Sequence, residues 1–399
     1  MSSHSLDKIE KLRSWWWRRQ GFDPATSFSS PTDVLKQSGW TRSVGGCAPY
    51  LTLFSRAGIS REATDKAVEN LEIHELPSAR ACTYVVPADD YALALTLAQG
   101  FGSGDMRVAE KLGVTQKEVD KLCAAVLAAL KRGPLAPDDI RQSVGNAVRS
   151  LGAEGQKKGI SSTLPLALGQ LQRGGEIRRI STNGRLDNQR YQYALWRPNP
   201  LGKATLEPER AMAEIARRFF EWIAPALLAD FQSFAGISAK STKAAVAALE
   251  LESLSAGDEL LLPPALRAEF ESFKPPKDPC YHLVTQLDSL LLLKQDVSVL
   301  LDPAHHAHPL LMPKSARSDG RLMELASPVI VDRGRIVGLW EYDPSTESIA
   351  YAVFGKKDAL LKKAVAATEE YVRTQLGDAR TFSLDSPKSR LPRIAALRA

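Results

Sequence analysis

The chain has 399 residues, 44% of them hydrophobic and 25% charged, and its 52 basic and 46 acidic side chains leave a net charge of +6. This composition excludes a disordered chain, and the length predicts two or more domains, because one core rarely exceeds about 250–300 residues. With no apolar run long enough to cross a membrane, no visible signal peptide and four scattered cysteines, we expect a protein of a reducing compartment.

The first predicted unit, residues 1–100, contains helices followed by a small hairpin. Leu6, Ile9, Leu12 and Trp16 recur at helical spacing. Helix signals then appear from Ser30-Pro31 and over 47–57 and 60–71, before β-prone runs at 73–76 and 81–86. This order of elements is typical of a winged helix.

The same order recurs twice. In the second unit, residues 106–200, we predict helices over 117–131, 137–149 and 161–173, the last one capped by serine. The runs EIRRIST and RYQYALW follow, joined by a turn at Asn183-Gly184. In the third unit, residues 205–265, we predict helices over 208–223 and 225–235, a helix capped by Ser238, and a small wing over 250–262.

Residues 278–385 read as a β-rich domain. Strand patterns over 328–332, 335–342 and 349–354 predict a meander, which a helix over 357–376 closes. The basic tail from Ser386 is expected to be loosely held. The predicted fold class is α+β, with tandem winged helix-turn-helix units followed by a C-terminal β-rich domain.

Basic side chains are concentrated in residues 151–200, which hold eight basic and three acidic residues. Four of the arginines lie on the predicted wing of the second unit: Arg178, Arg179, Arg185 and Arg190. A hairpin with this charge is well placed to contact DNA phosphates. The alternatives are an ordinary solvated face and a winged helix that binds another protein.

Five segments, in register along the chain, resemble the AlkZ/YcaQ-type winged-helix DNA glycosylase family. They are RRQGF (18–22), RACTYVVPADDY (80–91), the aromatic and alanine-rich stretch 216–249, QLDSLLLLKQD (286–296) and PVIVDRGRIVGLWEY (328–342). The resemblance implies three winged helices and a β-rich domain around a positively charged concave surface for double-stranded DNA. It also implies excision of alkylated purines and unhooking of interstrand crosslinks without a metal or other cofactor, by a monomer in the bacterial cytoplasm, associated with the nucleoid.

The family carries a Gln-x-Gln or Gln-x-Asp catalytic motif just before a helix that LTLFSR (51–56) resembles. Counting back from this helix places Arg42, Ser43 and Val44 on the motif. Neither Arg42 nor Val44 can act as a general base, since arginine stays protonated and valine has no polar atom. Three hypotheses stay open: a glycosylase, a non-catalytic DNA-binding or regulatory relative, and a protein-interaction scaffold.

Further positions have two interpretations each. Asp288 is either a structural residue or a residue directed at DNA. Trp15 to Trp17 either stack on bases or belong to the core, and His305, His306 and His308 lie either in a metal site or in a surface loop. In each case the structural interpretation is favoured. The further candidate DNA contacts are Arg18, Arg19, Gln20, Arg42, Lys157, Lys158 and Arg173.

Overall fold

The computed structural model describes residues 3–202, 206–311, 317–318, 321–322 and 325–399. They form a mixed α+β chain that divides into two compact units. Unit 1 combines residues 1–73 with residues 213–399, and unit 2 comprises residues 74–212. The domain boundaries predicted at residues 1 and 205 lie outside the described residues.

The N-terminal part of unit 1 is mainly helical. Its elements are α1 (Ser3–Arg19), α2 (Pro31–Ser38), β1 (Thr41–Arg42), α3 (Ala48–Ala57) and α4 (Arg61–Glu69). The hydroxyl of Ser30 accepts a hydrogen bond from the Asp33 amide, and Ser60 caps α4 through the Ala63 amide. These caps satisfy amides that a helix leaves unpaired at its start, so both predicted helix starts are confirmed.

Unit 2 contains six helices among its described residues, with a hairpin near each end. Its elements are β2 (Ile73–Pro77), whose first residue belongs to unit 1, β3 (Thr83–Pro87), α5 (Tyr91–Gln99), α6 (Ser103–Glu110), α7 (Gln116–Leu130), α8 (Pro137–Val144), α9 (Gly152–Lys157), α10 (Leu164–Arg173), β4 (Ile177–Ser181) and β5 (Tyr191–Leu195). Helices α7 and α10 pack on the β4–β5 hairpin around a core that includes Val126, Leu171 and Tyr193.

Two predicted boundaries in unit 2 are wrong. The helix predicted over 137–149 ends at Val144, because Gly145 adopts a φ of +53° that does not continue a helix. The helix predicted over 161–173 begins only at Leu164, and the side chain of Thr163 makes no capping hydrogen bond. The expected serine cap is therefore absent.

The C-terminal part of unit 1 begins with helices and ends with a sheet. Its elements are α11 (Pro208–Ile223), whose first five residues belong to unit 2, α12 (Leu228–Ala235), α13 (Ala239–Val246), β6 (Glu252–Ser253), β7 (Leu261–Leu262), α14 (Arg267–Ser272), β8 (Tyr281–Val284), α15 (Ser289–Leu292), β9 (Arg317–Ser318), β10 (Arg321–Leu322), β11 (Val329–Asp332), β12 (Arg335–Asp343), β13 (Ser348–Val353), α16 (Ala359–Tyr371) and α17 (Pro387–Arg398). The predicted meander is confirmed as three strands of an antiparallel sheet in the order β13-β12-β11-β8.

The C-terminal tail was expected to be loose, and this is wrong. Residues 387–398 form α17, which packs on β12 and β13. Arg390 is fully buried and donates to both carboxylate oxygens of Asp378, at 2.7 and 2.9 Å. Arg393 likewise donates to the buried carboxylate of Glu341 at 2.6 Å. The basic residues of the tail therefore bind acidic groups of the sheet region.

Candidate nucleic-acid interface

The β4–β5 hairpin carries the predicted wing arginines on a well-ordered frame. Its strands pair from Ile177 opposite Leu195 to Ser181 opposite Tyr191. At the tip, the side-chain amide of Asn188 donates to Thr182 Oγ1 at 3.0 Å and to Asn183 Oδ1 at 2.9 Å. These hydrogen bonds cross-link the loop, so the hairpin presents its side chains from a fixed backbone.

The four wing arginines differ in how much of their charge is available. Arg190 is exposed, whereas Arg185 donates from Nε to Asp187 at 2.8 Å. Arg178 and Arg179 are partly buried, and the guanidinium of Arg179 lies 4.6 Å from the centre of the Tyr191 ring. The hairpin thus combines one exposed cation, Arg190, with two that are held by a neighbouring side chain, Arg185 and Arg179, and with the partly buried Arg178.

The remaining basic candidates of unit 2 lie on or beside its helices. Lys157 forms an exposed ion pair with Glu154 at 2.8 Å, and Lys158 is exposed at the end of α9. Arg173, in the last turn of α10, is partly buried, and a Cβ added at Gly102 would meet its Nε at 2.8 Å. Arg173 therefore packs against backbone as well as carrying a charge.

The candidates of the RRQGF segment are engaged within unit 1. Arg18 forms an ion pair with Glu269 at 3.1 Å, and Arg19 donates from Nε to the Glu221 carbonyl at 3.1 Å. Gln20 is fully buried and donates to the Trp222 carbonyl at 3.0 Å. The Gln20 amide is therefore occupied within the core of unit 1.

The positions that align with the family's catalytic motif, but do not carry its residues, lie at and just after β1. Arg42 and Val44 are partly buried, and Ser43 is buried. Arg42 Nε and Ser43 Oγ are buried atoms for which the described residues offer no hydrogen-bond partner. These positions hold a permanent cation, a neutral hydroxyl and an aliphatic side chain, so they supply no general base.

A buried ion pair connects the helix that follows the motif to the C-terminal part of unit 1. Arg56 of α3 donates from both terminal nitrogens to Asp288, at 2.7 and 2.8 Å. Their side chains are 0% and 1% exposed. Arg56 Nε also donates to the Gln20 carbonyl at 2.7 Å. Asp288 therefore has the structural role that the sequence favoured, because its carboxylate is enclosed and occupied.

The three consecutive tryptophans belong to the core. Trp15, Trp16 and Trp17 are each less than 5% exposed. Trp15 Nε1 donates to the Ala224 carbonyl at 2.7 Å, and Trp16 Nε1 donates to the Pro225 carbonyl at 2.9 Å. Buried rings cannot stack on a nucleobase, so the interpretation as a base-stacking edge is wrong.

The histidine-rich loop contacts an aromatic ring and backbone carbonyls. The rings of His305 and His308 lie 4.9 and 4.7 Å from that of Phe354, and His306 Nε2 lies 3.2 Å from the Ser298 carbonyl. Within the described ranges, no group of three or more histidine, cysteine or carboxylate side chains is arranged to hold a metal ion. No helix in those ranges is both long and apolar enough to span a membrane.

Sequence reasoning missed two groups of charged residues. Lys240 and Lys243 are exposed on α13 and form no ion pair with any residue that the structure describes. Glu75 of β2 lies 3.9 Å from Arg179, more than 100 residues away along the chain. The alternation of β2 could have predicted which face Glu75 occupies, but not that β4 lies beside it.

Comparison with known proteins agrees with this architecture. The fold is that of a DNA glycosylase of the AlkZ type: Streptomyces sahachiroi DNA glycosylase AlkZ is similar over 94% of this chain and 98% of its own, with a TM-score of 0.69 and 19% sequence identity. A family model described as DNA glycosylase AlkZ-like matches residues 42–380. The chain belongs to this family, and the resemblance found in the sequence is confirmed. No curated protein sequence matches it.

Proposed function

We propose that this protein binds double-stranded DNA and hydrolyses the N-glycosidic bond of alkylated or crosslinked purine nucleotides. The observation that carries the proposal is the match of the AlkZ-like DNA glycosylase family over residues 42–380. The basic wing supports it, since a polyanionic duplex is the natural partner of such a surface. We further propose a monomer in the bacterial cytoplasm, associated with the nucleoid, which size-exclusion chromatography and imaging would test.

The DNA-binding frame we propose consists of three tandem winged helices. A similar order of elements, in which a helix and a short strand are followed by further helices and two strands, occurs in α2 to β3, in α7 to β5 and in α11 to β7. Two helices precede the two strands in the first and third cases, and three (α8, α9 and α10) in the second. In the second and third cases the early strand is a single bridge, Leu135 with Tyr193 and Ala226 with Leu261. In each of these two cases the bridge pairs with the last strand of the hairpin, which supports a shared topology.

The proposed DNA contacts are the basic residues predicted from the sequence, together with two exposed lysines of α13. They are Arg18, Arg19, Arg42, Lys157, Lys158, Arg173, Arg178, Arg179, Arg185 and Arg190, to which we add Lys240 and Lys243. Contacts of this kind orient the protein on the duplex without reading its sequence. We therefore expect affinity to depend strongly on salt.

The reaction demands little of the protein. A purine alkylated at N7 or N3 already carries positive charge and leaves as a neutral base. The protein has to stabilise a sugar with oxocarbenium character and activate a water, as in other glycoside hydrolyses. No metal or cofactor is required for this chemistry.

A second candidate function is that of a non-catalytic DNA-binding relative. The observation that favours it is the occupation of the motif positions by Arg42, Ser43 and Val44, which provide no base. A protein of this kind would bind the same DNA and release no purine. The two candidates therefore differ in a single measurable step.

A base-release assay run beside a salt-titrated binding assay separates the two candidates. The substrates are duplexes that carry N7-methylguanine or a nitrogen-mustard crosslink. Release by the wild-type protein establishes the glycosylase, while salt-dependent binding without release establishes the non-catalytic relative. A failure to bind duplex DNA would refute both.

The contribution of the wing is tested by R178Q/R179Q/R185Q/R190Q. Each lost phosphate contact lowers the slope of log K against log salt by about 0.9, so we expect a reduction of about 3 to 4. R185Q/R190Q, which leaves Arg178 and Arg179 intact, should lose about half as much. The control R217Q removes a cation that is ion-paired with Glu214 on α11, and it should leave the slope unchanged. A wild-type slope in the quadruple variant would refute the role of the wing.

A further inference from the structure

Glu75 is a carboxylate that forms a long ion pair with Arg179 of the wing. Its Oε1 is 3.9 Å from Arg179 Nη1, beyond hydrogen-bond distance, and its side chain is 22% exposed. Asp187 and Glu176 of the same unit instead accept hydrogen bonds from Arg185 and Arg197, at 2.8 and 2.9 Å. Glu75 thus keeps its oxygens available to a water molecule.

The surroundings of Glu75 combine fixed cations with uncharged aromatic groups. Arg179 lies over the Tyr191 ring, and Arg178 precedes it on β4. The neighbouring His74 is buried beside Trp196, and burial together with Arg178 lowers the pKa of His74 to about 3, so this imidazole is neutral. Glu75 is therefore the negative charge in a setting that would otherwise be positive.

Partial burial also favours proton transfer at Glu75. Burial raises the pKa of Glu75, and the nearby Arg179 opposes this increase. A carboxylate whose pKa moves towards neutrality is a better general base near neutral pH than one in free solution. Its charge is also less screened than that of an exposed carboxylate, so it interacts more strongly with a developing cation.

We propose that Glu75 is the catalytic carboxylate of the glycosylase, held beside Arg179, which binds a phosphate next to the damaged nucleotide. This inference rests on the proposed function and names the residue that replaces the family motif missing at Arg42 to Val44. The bond between C1′ and the purine nitrogen breaks, and its electron pair leaves with the alkylated base, which becomes neutral. A water oxygen bonds to C1′, and Glu75 takes the proton that the water loses.

The experiment compares E75Q with E72Q, a matched control that changes an exposed carboxylate three residues earlier in the chain. Single-turnover release of N7-methylguanine from a duplex and the dissociation constant for that duplex are both measured. We expect E75Q to release the base about 100-fold more slowly, the low end of what a general base contributes, with a dissociation constant within about threefold of wild type. E72Q should match wild type in both.

A second variant guards against an effect on folding. E75A should be equally slow, and added formate should restore part of its rate, because formate can occupy the vacated space and accept the proton. Wild-type rates in E75Q, or slow release by E75A that formate does not improve, would overturn the inference while leaving the proposed function intact. Binding without release by the wild-type protein would overturn the glycosylase proposal, and the inference would fall with it.

Discussion

Replacing Asp288 by asparagine tests whether the buried pair with Arg56 stabilises unit 1. The substitution removes one charge and almost no volume. Asp288 also accepts a hydrogen bond from the Leu290 amide at 2.9 Å, as the N-cap of α15, and asparagine caps helices equally well. The change therefore isolates the electrostatic contribution, because the cap and the packing are kept.

The expected cost follows from enclosure of the pair. With both side chains at most 1% exposed, the guanidinium of Arg56 in the variant stays buried opposite a neutral amide. Breaking such a pair costs about 3–5 kcal/mol, a large fraction of the roughly 5–15 kcal/mol that stabilise a typical protein. Arg56 keeps its hydrogen bond to the Gln20 carbonyl, so we expect the lower half of that range.

Urea denaturation followed by tryptophan fluorescence measures the loss, since Trp15 to Trp17 report on unit 1. R56M/D288N should lose less than the sum of the two single variants, because the double change leaves no buried ion without its partner. E154Q is the control: its pair with Lys157 is 66% and 72% exposed, so a change below about 1 kcal/mol is expected. A loss below 1 kcal/mol in D288N would refute the reasoning.

Two further substitutions in unit 1 test a buried lysine and a tightly packed glycine. Lys294 is buried over the Trp16 ring, 3.9 Å from Asp230, and burial lowers its pKa from 10.5 to about 8. Because the unfolded chain holds this proton up to higher pH, the stability of the wild type should rise between about pH 8 and 10.5. K294M removes the titrating group and should lose that rise, and a urea titration in which the rise persists would contradict this. In G46A the added Cβ would lie 2.0 Å from the Thr381 carbonyl oxygen, so we expect a loss of about 1–3 kcal/mol in the same assay, and an unchanged midpoint would show that the backbone yields freely.

The sequence predicted those features of the fold that depend on neighbouring residues. The serines at 30, 60 and 238 cap the helices that follow them, because a cap is formed by groups two or three residues away. The β4–β5 hairpin was also predicted, since the Asn183-Gly184 turn and the alternating strands are contiguous. Family membership was predicted from five segments in register, although the overall identity to the similar structure is only 19%.

Features that depend on distant residues were predicted poorly. The tail from Ser386 looks like a free basic segment, but Arg390 and Arg393 find carboxylates 12 and 52 residues away. Gln20 looks like a polar residue available to DNA, but its partner is the Trp222 carbonyl. Pairings over such separations follow from the packing of the whole unit, which local patterns do not encode.

The residues that hold α3 in the fold differ from those at the motif positions, which is consistent with Glu75 acting in place of the family motif. The Arg56–Asp288 pair anchors α3 through residues outside positions 42 to 44, so this contact does not involve Arg42 or Val44. Because a charged alkylated purine leaves readily, the catalyst need only place one negative group near the sugar and accept one proton. A carboxylate that lies beside a phosphate-binding arginine would meet this requirement, and in unit 2 the ion pair between Glu75 of β2 and Arg179 of β4 provides one.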